Sequence, residues 1–365
     1  MRTDKKIKIV SVCTYARGGM RAVLESFYAA GVLDSTNDPI LWTHIEGSTF
    51  KKLMQFISTL ACLLKIIALN RKMILIHCHT SMRGSYWRKT LVCLIGRALG
   101  VPVFMHMHGS EFKSFYSNHG LIGKFIISKT LSCASKVIVL SDSWKDFYSK
   151  LVDKNKILVL PNFVKVPEPA ICEKINTPEQ NQEYYHRMLF LGYVGVRKGI
   201  YDLIDAVALN AKYLDKLKII VGGNGEIDKA KEYAITKGVS SNFEFLGWIG
   251  TEEKANLLKS SNSFILPSRN EGLPVSILEA MSYGLPVIST NVGAVASLYS
   301  DANNYWLVEA RDIKTLSERI VSLTSDDSTG HLIGQHNRIL IKKFYSEDVI
   351  IPLLREAYNE FSQKK

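Results

Sequence analysis

Residues 267–290 read PSRNEGLPVSILEAMSYGLPVIST, and the order of residue types there decides the fold class. The apolar run at 263–266 has the length of a buried strand, and Pro267 stops it. Residues 268–272 form a polar loop that ends on a glycine, where tight backbone geometry is needed. Pro274 suits the first turn of a helix, where a missing N–H is no loss. Val275, Leu278 and Met281 recur at helical spacing, and Gly284 is placed to end the helix in a left-handed cap. Residues 286–289 are the next strand. Strand, loop, helix and strand in this order make the crossover of a parallel α/β sheet.

The chemistry of the stretch lies in Glu271, in the loop, and Glu279, about two turns into the helix. A helix start offers unpaired N–H groups and partial positive charge, which receive a phosphate. A loop carboxylate beside it can accept hydrogen bonds from sugar hydroxyls, and a helix carboxylate can hold the two hydroxyls of a ribose. A nucleotide-sugar fits that layout. Glutamates of a loop and of a helix are more often simply solvated, so the two residues alone would not decide the matter.

The longer pattern does. Residues 271–280, EGLPVSILEA, followed by GLPVI at 284–288, resemble the Glu–seven residues–Glu motif of retaining glycosyltransferases of family 4. The resemblance implies an α/β protein of the GT-B fold, two Rossmann-like domains with parallel sheets facing across a cleft. It implies that Glu271 contacts the donor sugar, that Gly272, Leu273, Pro274 and Val275 offer backbone N–H groups to sugar and phosphate, and that Glu279 holds the ribose.

At 365 residues the chain is long enough for two domains. The expected division is an acceptor-side domain over 1–165, a linker over 166–186 rich in proline and polar residues, a nucleotide-sugar domain over 187–345, and a last helix over 346–365 that crosses back to the first domain. The six cysteines show no metal-like pairing and read as reduced core residues of a cytosolic protein. No signal peptide and no unbroken apolar run of membrane-spanning length stand out, so neither a leader nor a transmembrane helix is expected.

The net charge of +12 is uneven: residues 1–165 hold 24 Lys+Arg and 9 Asp+Glu, net +15, and the remainder 22 and 25, net −3. Such asymmetry points to a polyanion or an anionic membrane surface. Residues 50–72 read as a helix with basic ends that could lie on a bilayer, although most of its apolar face is expected to cover the N-terminal sheet as core.

In chain order, a first strand at 6–12 leads into Gly18-Gly19 and a helix, an anion-receiving turn. The resemblance places these glycines at the donor phosphates and acceptor. Without a full G-x-G-x-x-G no dinucleotide cofactor is indicated. A strand at 74–79 ends in His77 and His79, followed by a helix carrying Arg88, Lys89 and Arg97. The next strand ends in His106 and His108. Alternating histidines share a face of a strand, and a zinc site is possible in principle, but the cysteines complete no ligand set. His108 resembles the family's strand-end histidine that reaches the donor sugar, with His106 as its structural partner.

In the second half the loop 193–199 resembles the family's diphosphate-binding loop. Lys198 matches its lysine, while Tyr193 stands where an arginine is usual. Arg197 could supply the missing charge or be a solvated residue at a helix start. Gly247, before Trp248, is the candidate for contacts to the base.

The reading is a glycosyltransferase that moves a hexose from a nucleotide-diphosphate sugar, UDP being the nucleotide that the resemblance implies, to a glycan or lipid-linked acceptor in surface polysaccharide synthesis. Retention of configuration is implied by the resemblance alone. No Asp-x-Asp motif occurs, so no metal or other cofactor is expected, and no nucleic-acid partner. The protein is expected in the cytoplasm, peripheral at the inner face of the membrane. The alternatives are a nucleotide-sugar 2-epimerase of similar fold, against which the paired glutamates argue, and a non-catalytic polyanion-binding protein, which has no use for Glu271, Glu279 and Lys198 together.

Overall fold

The computed structural model describes residues 7–16, 18–70, 73–168 and 185–362. The chain divides into two units, Met1–Asn162 with Glu347–Lys365, and Phe163–Ser346. Most of the linker expected over 166–186 lies outside the described residues, as does Cys172.

The N-terminal unit is built on β1 (Lys8–Cys13), β2 (Ile40–Trp42), β3 (Ile74–Thr80), β4 (Val103–Met107), β5 (Lys136–Val139) and β6 (Ile157–Val159). All pairs are parallel and the order is β2-β1-β3-β4-β5-β6. Strands β3 and β4 are buried along their whole length, as expected of a parallel sheet covered on both faces. The strand β2, three residues long, is too short to show a period, and the sequence did not announce it. The last helix, Glu347–Ser362, belongs to this unit. Its Tyr358 hydroxyl meets His77 Nδ1 at 2.6 Å, and Glu360 pairs with Lys136 at 3.2 Å.

One helix departs from expectation. Over Thr49–Asn70 only Thr59, Leu63 and Ile67 are buried, while Phe50, Leu53, Met54, Ile57, Leu64 and Leu69 are exposed. It docks by a narrow stripe, with Thr59 Oγ1 donating to the Trp42 carbonyl at 2.7 Å, so the expectation that most of its apolar face is core is corrected. By length and composition alone this helix could cross a membrane; its lysines break the unbroken apolar run that the sequence reading looked for.

The C-terminal unit repeats the plan with β7 (His186–Leu191), β8 (Leu217–Gly222), β9 (Phe243–Gly247), β10 (Ser263–Leu266), β11 (Val287–Thr290) and β12 (Leu307–Val308). They form a parallel sheet of order β12-β11-β10-β7-β8-β9. In each sheet the chain builds outward in one direction and then restarts on the other side of its first strand. The reversal falls between β1 and β3 in one unit and between β7 and β10 in the other. The carboxyl ends of strands at such a switch point leave a crevice where α/β proteins bind ligands.

Candidate functional site

In the C-terminal unit two polar loops leave the switch point, one after β7 and one after β10. They are held against each other by backbone. Arg269 N–H donates to the Arg197 carbonyl at 2.8 Å. Gly199 has φ 76°, and a Cβ there would overlap the Pro267 carbonyl, so only glycine permits this approach. Gly293, at φ 60°, lies against the Glu271 carbonyl in the same way. Ala294 N–H donates to the Gly272 carbonyl at 2.8 Å, and Thr290 Oγ1 donates to the Ser268 carbonyl. The loop expected from residues 268–272 is thus fixed from three sides.

That frame brings Lys198, Arg197 and Glu271 together. Lys198 Nζ donates to Glu271 Oε1 at 2.5 Å, and Ser268 Oγ donates to the same oxygen at 2.7 Å. Arg197 Nη1 lies 3.8 Å from Glu271 Oε2 and donates to the Asn270 carbonyl at 3.3 Å. Glu271 is buried, Lys198 nearly so, and Arg197 is half-exposed. The sequence left open where Arg197 reaches; its guanidinium lies beside Glu271. An ammonium has three N–H donors, so Lys198 can hold Glu271 and still bind a second anion. Behind the loop Arg269 grips Asp202 with two bonds, of 2.9 and 2.6 Å.

The helix Val275–Ser282 starts at Pro274 with no side chain capping it and no acidic residue in its first turn, which leaves its positive end for an outside anion. Glu279, on this helix, forms an ion pair with Lys254 of the helix Thr251–Ser260. Gly247 sits at φ 76° at the end of β9, and its carbonyl accepts from Gly223 N–H at 2.6 Å. Sequence reasoning missed Ser268, Lys254 and the Arg269–Asp202 pair. Only the polar character of the 268–272 loop hinted at the first, and partners 25 and 67 residues apart leave no local signal.

In the N-terminal unit Gly18 precedes the helix Gly19–Ala29, and a side chain at either Gly18 or Gly19 would meet open space. His108, just past β4, bonds His79 through Nε2 and Nδ1 at 3.0 Å. His106 stacks on His108 with ring centres 4.1 Å apart and bonds His77 instead, at 3.2 Å. The hydrogen-bonding partner of His108 is therefore His79; His106 supports it by stacking. Burial pushes His77 and His108 down to about 3, and His79 and His106 well below the usual histidine range. All four rings are neutral at pH 7. His77, His79 and His106 have ring nitrogens within 4.8 Å of one another, the group among the described residues with the spacing to share a metal ion. Both nitrogens of His77 and the Nδ1 atoms of His79 and His106 bond Tyr358 or a neighbouring ring, while His79 Nε2 and His106 Nε2 are buried without a hydrogen-bond partner among the described residues.

Two parallel sheets, with polar loops at the C-terminal switch point and a lysine–glutamate pair between them, make a place suited to an anionic ligand. The profile of the family described as glycosyl transferases group 1 matches residues 173–339. The chain is 30% identical over 272 residues to the UDP-Gal:alpha-D-GlcNAc-diphosphoundecaprenol alpha-1,3-galactosyltransferase of Escherichia coli, covering 69% of this chain and 66% of that protein. It is 27% identical over 243 residues to the capsular polysaccharide biosynthesis glycosyltransferase CapM of Staphylococcus aureus, covering 63% and 62%. Each alignment spans a little under two thirds of the relative's own length. Among solved structures, that of Anabaena HepE in complex with UDP matches with a TM-score of 0.77 at 16% identity, covering 97% of this chain and 100% of that one. The chain belongs to the glycosyl transferase group 1 family, and its fold is GT-B. It is a glycosyltransferase related to those of bacterial capsule and surface polysaccharide synthesis.

Proposed function

We propose that the protein transfers a hexose, with retention, from a UDP-sugar to a glycan or lipid-linked acceptor, without a divalent metal. The observation that carries this reading is the Lys198–Glu271 pair at the switch point of the C-terminal sheet, beside an uncapped helix start. In a transfer of this kind negative charge grows on the leaving diphosphate, and cations and helix starts aimed at it lower the barrier. Lys198, with donors to spare, Arg197 and the first turn after Pro274 supply that charge. Glu271, held by Lys198 and Ser268, presents its carboxylate to the sugar hydroxyls. Glu279 takes the ribose, exchanging part of its bond to Lys254 for the ribose hydroxyls. His108 is kept neutral and oriented by His79 within the N-terminal unit, and a role for it toward the sugar rests on the family resemblance alone. The UDP carried by the Anabaena neighbour and the UDP-galactose named for the E. coli relative support the choice of base.

The reading includes a place of work. The N-terminal half carries the net charge of +15, and its unit exposes the apolar face of Thr49–Asn70 together with Leu121, Ile122, Phe125 and Ile126 on the helix Leu121–Cys133. Lys51, Lys52, Lys124 and Lys129 stand among them. Apolar side chains flanked by lysines match an anionic lipid surface at the cytoplasmic face. Flotation with phosphatidylglycerol vesicles tests this part: binding by the wild type and its loss in Leu121→Ser/Phe125→Ser is expected, and equal binding by both contradicts it.

The transfer itself is tested by thermal shift with UDP, GDP, ADP and their sugar conjugates, with and without EDTA. Binding to the folded protein raises the melting temperature by mass action. A selective rise with UDP and UDP-sugars that ignores EDTA is expected; no rise with any of them, or a rise abolished by EDTA, contradicts the reading.

A further inference from the structure

Lys89, in the helix Gly84–Ala98, is the anomaly of the N-terminal unit. It is fully buried, yet its ammonium donates only to the neutral Ser85 hydroxyl, at 3.4 Å. Among the described residues no carboxylate forms an ion pair with it. Next to it Arg88 is half-buried, and its Nε is buried with no hydrogen-bond partner. The surroundings make matters worse. Lys89, Arg88 and Lys52 all act to push His44 down, after burial, and Lys89 does the same to His108. A buried ammonium without a counter-ion costs stability, and no carboxylate among the described residues of this unit offsets it.

The place is as informative as the charge. The Cys13 thiol, at the carboxyl end of β1, and the Cys78 thiol on β3 are both pushed up by burial and pulled back by Lys89. Cys13 ends β1, Cys78 pairs with Val12 in the β1–β3 register, and the helix that buries Lys89 follows β3 directly, which puts Lys89 beside the reversal between β1 and β3, the switch point of this sheet. The outer side of its own helix exposes Trp87, Leu91 and Leu94.

We propose that Lys89 and Arg88 form a phosphoryl-binding site at the β1/β3 switch point, and that its ligand is the diphosphate of a lipid-linked acceptor. A diphosphate supplies the missing negative charge and enough oxygens for an ammonium, a guanidinium and the Ser85 hydroxyl at once. An apolar chain attached to it would lie along the exposed apolar side of the helix. This choice of ligand rests on the transferase reading, whereas the existence of the site does not.

The test is binding rather than turnover, with UDP held at saturation to fill the donor site. Inorganic pyrophosphate, a short polyprenyl diphosphate in detergent and phosphatidylglycerol vesicles are titrated into the full chain and into Lys89→Met and Arg88→Ala. The expected result is that Lys89→Met weakens pyrophosphate and polyprenyl diphosphate by roughly tenfold to a hundredfold, the worth of a charge-assisted bond. UDP affinity and vesicle binding stay unchanged. Its melting temperature at pH 7 should rise, which separates lost binding from lost folding. Wild-type protein that binds no pyrophosphate under saturating UDP, or Lys89→Met that binds it as tightly, overturns the site. Loss of vesicle binding with polyprenyl diphosphate retained overturns the choice of an acceptor over a lipid headgroup. Pyrophosphate binding lost in Lys89→Met from a protein that turns over no UDP-sugar upholds the site and refutes only the transferase reading.

Discussion

Lys198 and Lys89 each lie in the segment that follows a strand at the order reversal of its sheet, Lys198 after β7 and Lys89 after β3. Lys198 has its counter-ion built in: Glu271 lies at 2.5 Å and Ser268 supports it. Among the described residues Lys89 has only a hydroxyl, at 3.4 Å. The first cation is held in position before any ligand arrives, and a bound phosphate would share it with Glu271. The second is buried with no carboxylate paired to it among the described residues, and under the proposal an anion from outside would relieve it. The same kind of crevice thus holds two different arrangements, one a cation with its carboxylate in place and the other a buried cation without one.

The comparison breaks hardest at Glu271. Glu271→Gln keeps the shape and removes the negative charge that orients Lys198 and meets the sugar. Turnover should fall by about a hundredfold to a thousandfold, the scale of losing one fixed electrostatic group, with the protein folded and UDP still bound. Steady-state kinetics with near-normal kcat would remove Glu271 from the site.

The cost at Lys89 is readable as a pH dependence. Burial holds its ammonium at about 8 against 10.5 for a free lysine. Between those values the unfolded chain binds more protons than the folded one, so this group makes stability rise with pH across that window. The full shift amounts to about 3 kcal/mol. Arg88, Cys13 and Cys78 face Lys89, with His79 and His108 near it. The difference between wild type and Lys89→Met cancels what those groups contribute in common. Wild type should be the less stable of the two at pH 7 and should close the gap by pH 10.5. A gap that stays constant in chemical denaturation would mean that Lys89 is not strained.

A smaller effect is expected at Lys254, whose pair with Glu279 is partly exposed. Lys254→Ala should change stability by less than about 1 kcal/mol, while UDP affinity shifts by a few-fold at most because Glu279 remains. A large loss of UDP binding would give Lys254 a direct part in holding the donor.

These contrasts also mark what a linear sequence reveals. The unit around 267–290 was legible because strand, loop, helix between Pro274 and Gly284, and strand each carry a local signature, and Glu271 and Glu279 fall within one such unit. Lys198 was singled out through its loop, and the structure pairs it with Glu271. Arg197 could not be oriented, because its direction depends on Asn270 and Glu271 across the switch point. Lys254 and Ser268 gain their roles only when the sheet closes. The four histidines were seen as alternating pairs, but their cross-strand bonds, His77 to His106 and His79 to His108, follow from the β3–β4 register. Lys89 read as one more basic residue on a basic helix, since residue type says lysine is exposed and only the packing shows otherwise. The helix Thr49–Asn70 failed in the opposite sense: its apolar period was real, but periodicity does not say whether protein or something else covers that face.

The most direct test of the account is a calorimetric titration of UDP, in EDTA, into the wild type and into Lys198→Ala. The expected result is metal-indifferent binding by the wild type and an affinity roughly tenfold to a hundredfold weaker in the variant, the worth of one charge-assisted bond to phosphate. Equal affinities, or wild-type binding that needs a divalent metal, would contradict the assignment of the Lys198–Glu271 pair as the place where the donor diphosphate is held.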